Sequence, residues 1–565
     1  MLLVFFVAWL AVLDVAHAAR VKRDCWDSGD CSQLEKLNIS PSLLEAANPA
    51  KTGLLPVVWS DDQQAYYSVI SVGNISFRVS LDTGSADLWI TSSACTTNAC
   101  RSLPKYPLTY ESPSFVPVNN NQTSFSVSFA DGTAASGYVA REIVKLSNLT
   151  VANQAFGVVS NSNVTMGSQI SGILGLGFPR LSTLSDRVVN ATPVFATLSQ
   201  QGLVNYPLFG LSLTRNTSGT LSLGAIDASV VKDVNNIEWN PVVAFSPFST
   251  ERNTTSYLQW AIPMASILVN GTVIAPSPTY PTAYSNNSLA LLDVGTPGIY
   301  GPWQDVSRIY SAIDGARLVD TSSGGQWALP CDISETISFV FGQTNFTLQP
   351  SDYIIGPTSG DPQLCLTWPR ASAPSSDGID WQLGSPFLRT VYSIYSYGID
   401  SKEPPMVGLY PLNNATAPVE SPAQVSALLS SASATVATTL PNYLLPTPSY
   451  TTPAFIFNTS ISASIGQIVT SDLATSTYSP ILAAPAANLS AIPTVSPSPT
   501  LLTVVTTDGS GQVITLTSTA ATASVTLGVP YGWSASASSR LHAPIVWILL
   551  PCLSLILSRL TSTSY

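Results

Sequence analysis

The chain is nearly devoid of histidine. Its two histidines, His17 and His542, lie in terminal segments that read as removable, so the mature protein is expected to contain none. That excludes a Ser–His–Asp triad, a Cys–His pair and most zinc sites. Hydrolytic chemistry would have to run on carboxylates, hydroxyls, lysines or backbone groups. Charge is scarce as well: 10% of the 565 residues are charged, the net charge is −11 and the pI is near 4.6. A phosphate-binding surface needs clustered Lys and Arg, and the longest basic cluster is Lys22-Arg23, so nucleic acid is not an expected partner. Cysteine is limited to seven residues. Cys25 and Cys31, Cys95 and Cys100, and Cys331 and Cys365 are spaced for three local disulfides in an oxidising compartment, which leaves Cys552 over in a C-terminal apolar run.

Both ends read as processing segments. Met1 to Ala18 is an apolar run closing on Ala16-His17-Ala18, the pattern of a secretory signal peptide, and Lys22-Arg23 offers a dibasic cleavage site. Residues 19–58 read as a propeptide or N-terminal extension. Asn-x-Ser/Thr sequons at Asn74, Asn121, Asn148, Asn163, Asn190, Asn216, Asn253, Asn270 and Asn345, among others, predict a glycosylated surface. After Leu412 the composition changes: residues 413–539 are rich in Ser, Thr, Ala and Pro, and no Lys or Arg occurs from Ala415 to Ser539. This stretch is expected to be an O-glycosylated stalk without a large core. Local structure is expected only where Leu501–Thr506 faces Val513–Leu516 across Asp508-Gly509. The small residues Ser534-Ala535-Ser536, a polar spacer and the apolar run Ala543–Leu557 fit a glycolipid-anchor signal over 540–565, with a transmembrane tail as the alternative. The expected location is secreted and held at the cell surface, on the plasma membrane or in the wall.

Between Tyr66 and Leu412 apolar and polar residues alternate in short runs rich in Val, Ile, Phe and Tyr, such as Tyr67–Val72, Ser124–Phe129 and Tyr392–Tyr397. The spacing predicts an all-β region of mostly antiparallel sheet. Within it a two-part pattern occurs twice. Val79-Ser80-Leu81-Asp82-Thr83-Gly84-Ser85 is followed by Gly172-Ile173-Leu174-Gly175, and Leu291-Leu292-Asp293-Val294-Gly295-Thr296 is followed by Trp381-Gln382-Leu383-Gly384. The distance from Asp to the later Gly is 93 residues in the first copy and 91 in the second. Such a repeat points to two related lobes, residues 59–235 and 236–412, each giving one carboxylate to a shared cleft.

The residue types suit one chemistry. An Asp at the tip of an apolar strand sits where charge is costly. Two facing each other share a proton and titrate as a pair, so one can take a proton from water while the other protonates a carbonyl oxygen. Asp82 and Asp293 are the candidate catalytic pair. Thr83, Gly84, Ser85, Gly295 and Thr296 are its candidate supports, with the glycines allowing close backbone approach and the hydroxyls of Ser85 and Thr296 placed to bond the carboxylates. No metal, cofactor or covalent intermediate is called for.

These motifs resemble the pepsin-like aspartic proteases over Tyr66 to Leu412. The resemblance rests on Asp82–Ile90, Gly172–Gly177 and Trp381–Arg389, with Gly219–Asp227 similar to the family's link between lobes. The tail makes the chain most similar to the yapsin-like, surface-anchored fungal branch. The resemblance implies a bilobal fold, acid endopeptidase activity on peptide or protein substrates, inhibition by pepstatin-type compounds, and a monomer. It also implies that Cys95–Cys100 and Cys331–Cys365 are lobe disulfides, and that Phe129, Asp131, Gly132 and Thr133 form the flap that closes over substrate.

Three substitutions depart from the family pattern. Val294 stands where a Thr or Ser hydroxyl ties the two active-site loops together. Pro297 follows Thr296 where a hydroxyl residue contacts substrate. Phe129 replaces the flap tyrosine, which leaves the indole N–H of Trp89 needing another partner. Residues 19–58 are also short for an inhibitory prosegment, with Lys36 or Lys51 as the candidate lysine to cap the aspartates. Two readings follow: an active endopeptidase, or an impaired relative that binds peptides or wall components. For the first, removal of Ala415–Ser539 is expected to leave peptide cleavage intact.

Overall fold

The computed structural model describes residues 51–530 except 186, 190, 216–217, 245–256, 322–323, 414–417, 432–439, 441–444, 455–472, 474–475, 484–486, 498–500, 508–512 and 520–525. The expected signal peptide, the Cys25–Cys31 pair, Lys36, Cys552 and the anchor segment lie outside the described residues. Among those described, no helix is long and apolar enough to cross a membrane.

Two neighbouring strands set the pattern of the first lobe. Tyr66–Val72 alternates buried and half-buried positions, and Ile75–Asp82 pairs with it antiparallel, Val72 opposite Ile75. The alternation then stops: Val79, Ser80, Leu81 and Asp82 are all buried, so the end of the strand dives into the interior and carries the carboxylate with it. Ile170–Gly175, buried along its length, lies parallel to this strand, with Asp82 opposite Gly175. Leu88–Thr91 then pairs antiparallel on its other side, Trp89 opposite Ile173.

The second lobe repeats the arrangement. Ala261–Met264 pairs antiparallel with the fully buried Ser288–Leu292. Trp381–Leu383 lies parallel to the latter, Leu292 opposite Leu383, and Ile299–Pro302 closes the far side antiparallel. The sequence gaps of 93 and 91 residues are therefore the registers of two parallel strand pairs.

A sheet shared by the lobes joins them. Its strands run in the order Glu238–Pro241, Met406–Pro411, Val391–Ser396, Leu208–Ser212, Gly219–Leu223 and Gly53–Trp59. The lobes meet where Leu208–Ser212 pairs with Val391–Ser396, Phe209 opposite Tyr395. Phe209, Leu211, Leu221 and Tyr395 face the main core, while Leu208, Tyr392 and Ile394 face a separate apolar cluster on the other side. The bilobal, mostly β architecture agrees with the expectation.

Two boundaries differ from it. Gly53–Trp59 pairs with Gly219–Leu223 and with Tyr66–Val72, so the last residues of the expected extension are part of the shared sheet. The tail is not free of tertiary structure either. Pro422–Ser431 is a helix whose Val425 is fully buried, Glu420 accepts from the backbone and hydroxyl of Ser351 (2.9 and 2.8 Å), and Leu473, Leu482 and Ile492 are buried against the shared sheet. Composition concealed this because the docked side chains are isolated, and the surface that buries them belongs to distant segments. The hairpin does form, Leu501–Thr507 against Val513–Thr519, with Asp508-Gly509 outside the described residues. Cys95–Cys100 and Cys331–Cys365 are both disulfides.

Candidate active site

The ends of the two buried strands bring Asp82 and Asp293 together, each 8% exposed. The carboxylates are held in the same way. Gly84 N–H donates to Asp82 Oδ1 at 2.9 Å and the Ser85 hydroxyl to Oδ2 at 2.5 Å. Gly295 N–H donates to Asp293 Oδ1 at 2.9 Å and the Thr296 hydroxyl to Oδ2 at 2.7 Å. Among the bonds that pin each loop to its neighbour is a matching pair, Gly175 N–H to Asp87 O (3.1 Å) and Gly384 N–H to Gly298 O (2.9 Å).

The glycines are required by closeness across the site. A Cβ on Gly84 would lie 2.8 Å from Asp293 Oδ2, and one on Gly295 would lie 2.5 Å from Asp82 Oδ1. Each loop thus presses on the carboxylate of the other lobe, and any side chain would drive the pair apart. Burial first, and then the charge of Asp293, push the Asp82 carboxyl up to about 7, against the opposing bonds from Ser85 and Gly84. Asp82 therefore keeps its proton through the acid range.

Thr83 makes the cross-lobe grip from one side. Its hydroxyl donates to Leu292 O at 2.9 Å and accepts from Val294 N–H at 3.0 Å, and it is fully buried. Val294 is fully buried at the position related to Thr83 by the lobe symmetry and has no hydroxyl to return the bond. Further cross-lobe ties lie below. The Trp260 indole N–H donates to Leu176 O (3.0 Å), and the Tyr397 hydroxyl donates to Gly177 O (2.8 Å).

The predicted flap is the tip of a hairpin. Ser124–Ser128 pairs with the start of Ala134–Leu146, and the turn closes by Phe129 N–H to Thr133 O (2.8 Å). Asp131 Oδ1 accepts from both the N–H and the hydroxyl of Thr133 (2.8 and 2.7 Å), and Gly132 takes a left-handed φ of +83° at the open tip. Phe129 packs against the apolar cluster that contains Trp89. The Trp89 indole nitrogen is buried and has no hydrogen-bond partner among the described residues, as the missing tyrosine hydroxyl predicts. Pro297 is exposed one residue beyond Thr296.

Lys51 does not cap the pair. It is exposed, and its carbonyl accepts from Asn205 N–H (2.8 Å) at the start of the shared sheet. Asp87 is a residue whose role the sequence motif did not reveal. Buried, it accepts from the Ser182 hydroxyl (2.5 Å) and from the N–H and hydroxyl of Thr183 (2.7 and 2.8 Å), which fixes the loop after Gly177 against the Asp82 loop. Its signal was present as a carboxylate inside an apolar run, but its partners lie more than ninety residues away. A polar cavity of about 540 Å³ bounded by Asn235, Glu238, Thr344, Tyr410 and Asn413 shares no residue with this site.

The sequence profile of the eukaryotic aspartyl proteases matches residues 65–402. An aspartic protease of Phaffia rhodozyma is 32% identical over 352 residues, covering 61% of this chain and 77% of that protein. Cathepsin E of Mus musculus is 30% identical over 345 residues, covering 59% and 78%. Pepsin A of Rhinolophus ferrumequinum is 29% identical over 367 residues, covering 61% and 81%. A match across most of the strands that build and join the two carboxylate loops places this chain in the eukaryotic aspartyl protease family.

Proposed function

We propose that this protein is an acid endopeptidase in which Asp82 and Asp293 activate one water between them. The observation that carries the reading is the matched tethering of two buried carboxylates across the lobe interface, with the Asp82 carboxyl pushed up by burial and by Asp293. The ionised member draws a proton from the water as it attacks the scissile carbonyl carbon, and the protonated member gives its proton to the carbonyl oxygen. Ser85 and Thr296 hold the outer oxygen of each carboxyl, and Gly84 and Gly295 let the two approach. The hairpin tip from Phe129 to Thr133 covers bound peptide. Pepstatin-type inhibitors, which mimic the tetrahedral adduct, are expected to bind while the pair still shares its proton.

Export fits this reading. The two disulfides call for an oxidising compartment, and the sequon residues Asn74, Asn121, Asn148, Asn163, Asn270 and Asn345 are all exposed. Attachment at the surface through the C-terminal apolar segment, in the manner of the yapsin-like branch, is supported by composition alone. The deciding experiment is peptide cleavage by the secreted chain from about pH 3 to 8, with pepstatin and Asp82→Asn as controls. Acid cleavage abolished by both is the expected result. A folded, disulfide-bonded protein that cuts nothing in a broad peptide library would instead be a peptide-binding relative, disabled through Val294 and Phe129.

A further inference from the structure

The tail returns to the folded body on the face of the shared sheet turned away from the carboxylates. Strand alternation fixes that side. Tyr395, whose hydroxyl is raised by burial and further by the charge of Asp293, points to the main core, whereas its neighbour Ile394 points into the cluster that holds Leu473, Leu482 and Ile492. The contacts straddle both lobes. On the first lobe Ile226 N–H donates to Pro493 O (2.9 Å) and Ala228 N–H to Val495 O (2.8 Å), forming a parallel pair between Ile226–Asp227 and Thr494–Val495. The Tyr478 hydroxyl reaches the carbonyls of Ser199 and Val204 (3.0 and 3.1 Å).

On the second lobe the anchor is Glu403, which is fully buried. Its Oε2 accepts from the N–H groups of Ile481 and Leu482 (2.7 and 2.6 Å), and its Oε1 accepts from the hydroxyl of Tyr206 in the first lobe (2.5 Å). One carboxylate thus joins first lobe, second lobe and tail. Without the tail, Glu403 would lose two donors, and Leu208, Tyr392 and Ile394 would lose their cover. An uncovered apolar face and a buried carboxylate short of donors both disfavour the body on its own.

We propose that the described tail residues 473, 476–483 and 487–497 form a clamp that fastens the two lobes together across the back of their shared sheet, so that the clamp belongs to the enzyme and the stalk begins only beyond it. The binding surface takes an extended apolar segment whose backbone N–H groups meet Glu403, and its occupant is this chain itself. Removal of 415–539 should therefore disable the body, contrary to the expectation for a plain stalk. Two lobes that each carry one carboxylate depend on any tie that fixes their relative position, and the single-sided grip of Thr83 makes such a tie more consequential here.

The test uses the full chain. A recognition sequence for a specific protease is inserted between Ala454 and Leu473, and the protein is folded and purified intact before being cut. The C-terminal fragment is expected to co-elute with the body in native gel filtration. Glu403→Gln is the mild companion variant, since it removes the charge and leaves one acceptor oxygen where the carboxylate serves three donors with two. In the cut protein it is expected to release the fragment, lower Tm by at least about 4 °C, and reduce kcat/KM several-fold. A fragment that leaves on cutting with Tm and kcat/KM unchanged overturns the proposal, as does a Glu403→Gln protein that behaves as the parent in every assay. The kinetic arm alone rests on the proposed peptidase activity. A protein with no cleavage that still holds its fragment and melts lower once it is released would sink the activity and leave the clamp standing.

Discussion

Replacing Asp82 by Asn removes one carboxyl from a site where its ionisation is costly, and the consequence should be visible in folding as well as in catalysis. Burial and the Asp293 charge raise the folded-state value from 3.8 to about 7. The unfolded chain releases this proton near pH 4, whereas the folded protein keeps it to near neutrality. Stability from this group is therefore complete below about pH 4, falls as pH rises, and is lost once pH passes about 7. A gap of about three units is worth roughly 4 kcal/mol at 1.36 kcal/mol per unit. Asn carries no such proton, so the variant should gain about 4 kcal/mol on the parent between pH 4 and pH 7.5. Other buried acids raised by burial, Asp87, Asp305 and Asp352, titrate alike in both proteins and cancel in the difference. Urea titrations of the two proteins at several pH values measure it. Parallel stability curves, with a gap that changes by less than about 1 kcal/mol, would refute the buried, proton-sharing pair.

Val294→Thr supplies the hydroxyl missing from the cross-lobe grip and should add about 1 kcal/mol, read in the same urea titration. Thr83→Val removes both existing bonds of a buried hydroxyl and should cost about 3 kcal/mol; an unchanged midpoint would show that the loops do not depend on this grip. Phe129→Tyr returns a hydroxyl near the unpartnered Trp89 indole and should raise kcat/KM several-fold with bulky peptides, whereas a fall would mean that the flap works as a purely apolar cover. In wild type, cleavage should fade as pH rises through about 7, because the pair then loses its shared proton. A rate still climbing above pH 8 would exclude this mechanism. Mass spectrometry of the secreted protein should find glycans on exposed sequons, Asn163 among them, whose Oδ1 accepts from Ala134 N–H (2.7 Å) at the base of the flap and leaves Nδ2 for attachment. Unmodified asparagine at every sequon would argue against passage through the secretory pathway.

Much of the site was legible because its residues are local in sequence. Asp82 and its supports fall within four positions, Asp293 and its supports likewise, and the bonds to each carboxylate come from its own loop, while Thr83 alone reaches across to the other lobe. The hairpin turn that the resemblance marked as a flap is local too, since it closes between Phe129 and Thr133. Asp87 and Glu403 were not. A buried carboxylate is defined by its donors, and those of Asp87 come from Ser182 and Thr183 while those of Glu403 come from Tyr206, Ile481 and Leu482. The tail misled for a related reason. Leu473, Leu482 and Ile492 have neither strand nor helix periodicity, and composition records only how few apolar residues there are, not whether a sheet face awaits them.

By itself the sequence determined the duplicated pattern, the two carboxylates and the matched spacing from each to its later glycine, because the residues of each motif are local in the chain. Only the tertiary structure decided how close the carboxylates come, that Thr83 grips Val294 with no bond returned, and that the tail lies across both lobes. Those features depend on surfaces made by segments far apart in the chain, and a linear pattern carries no term for distance in space.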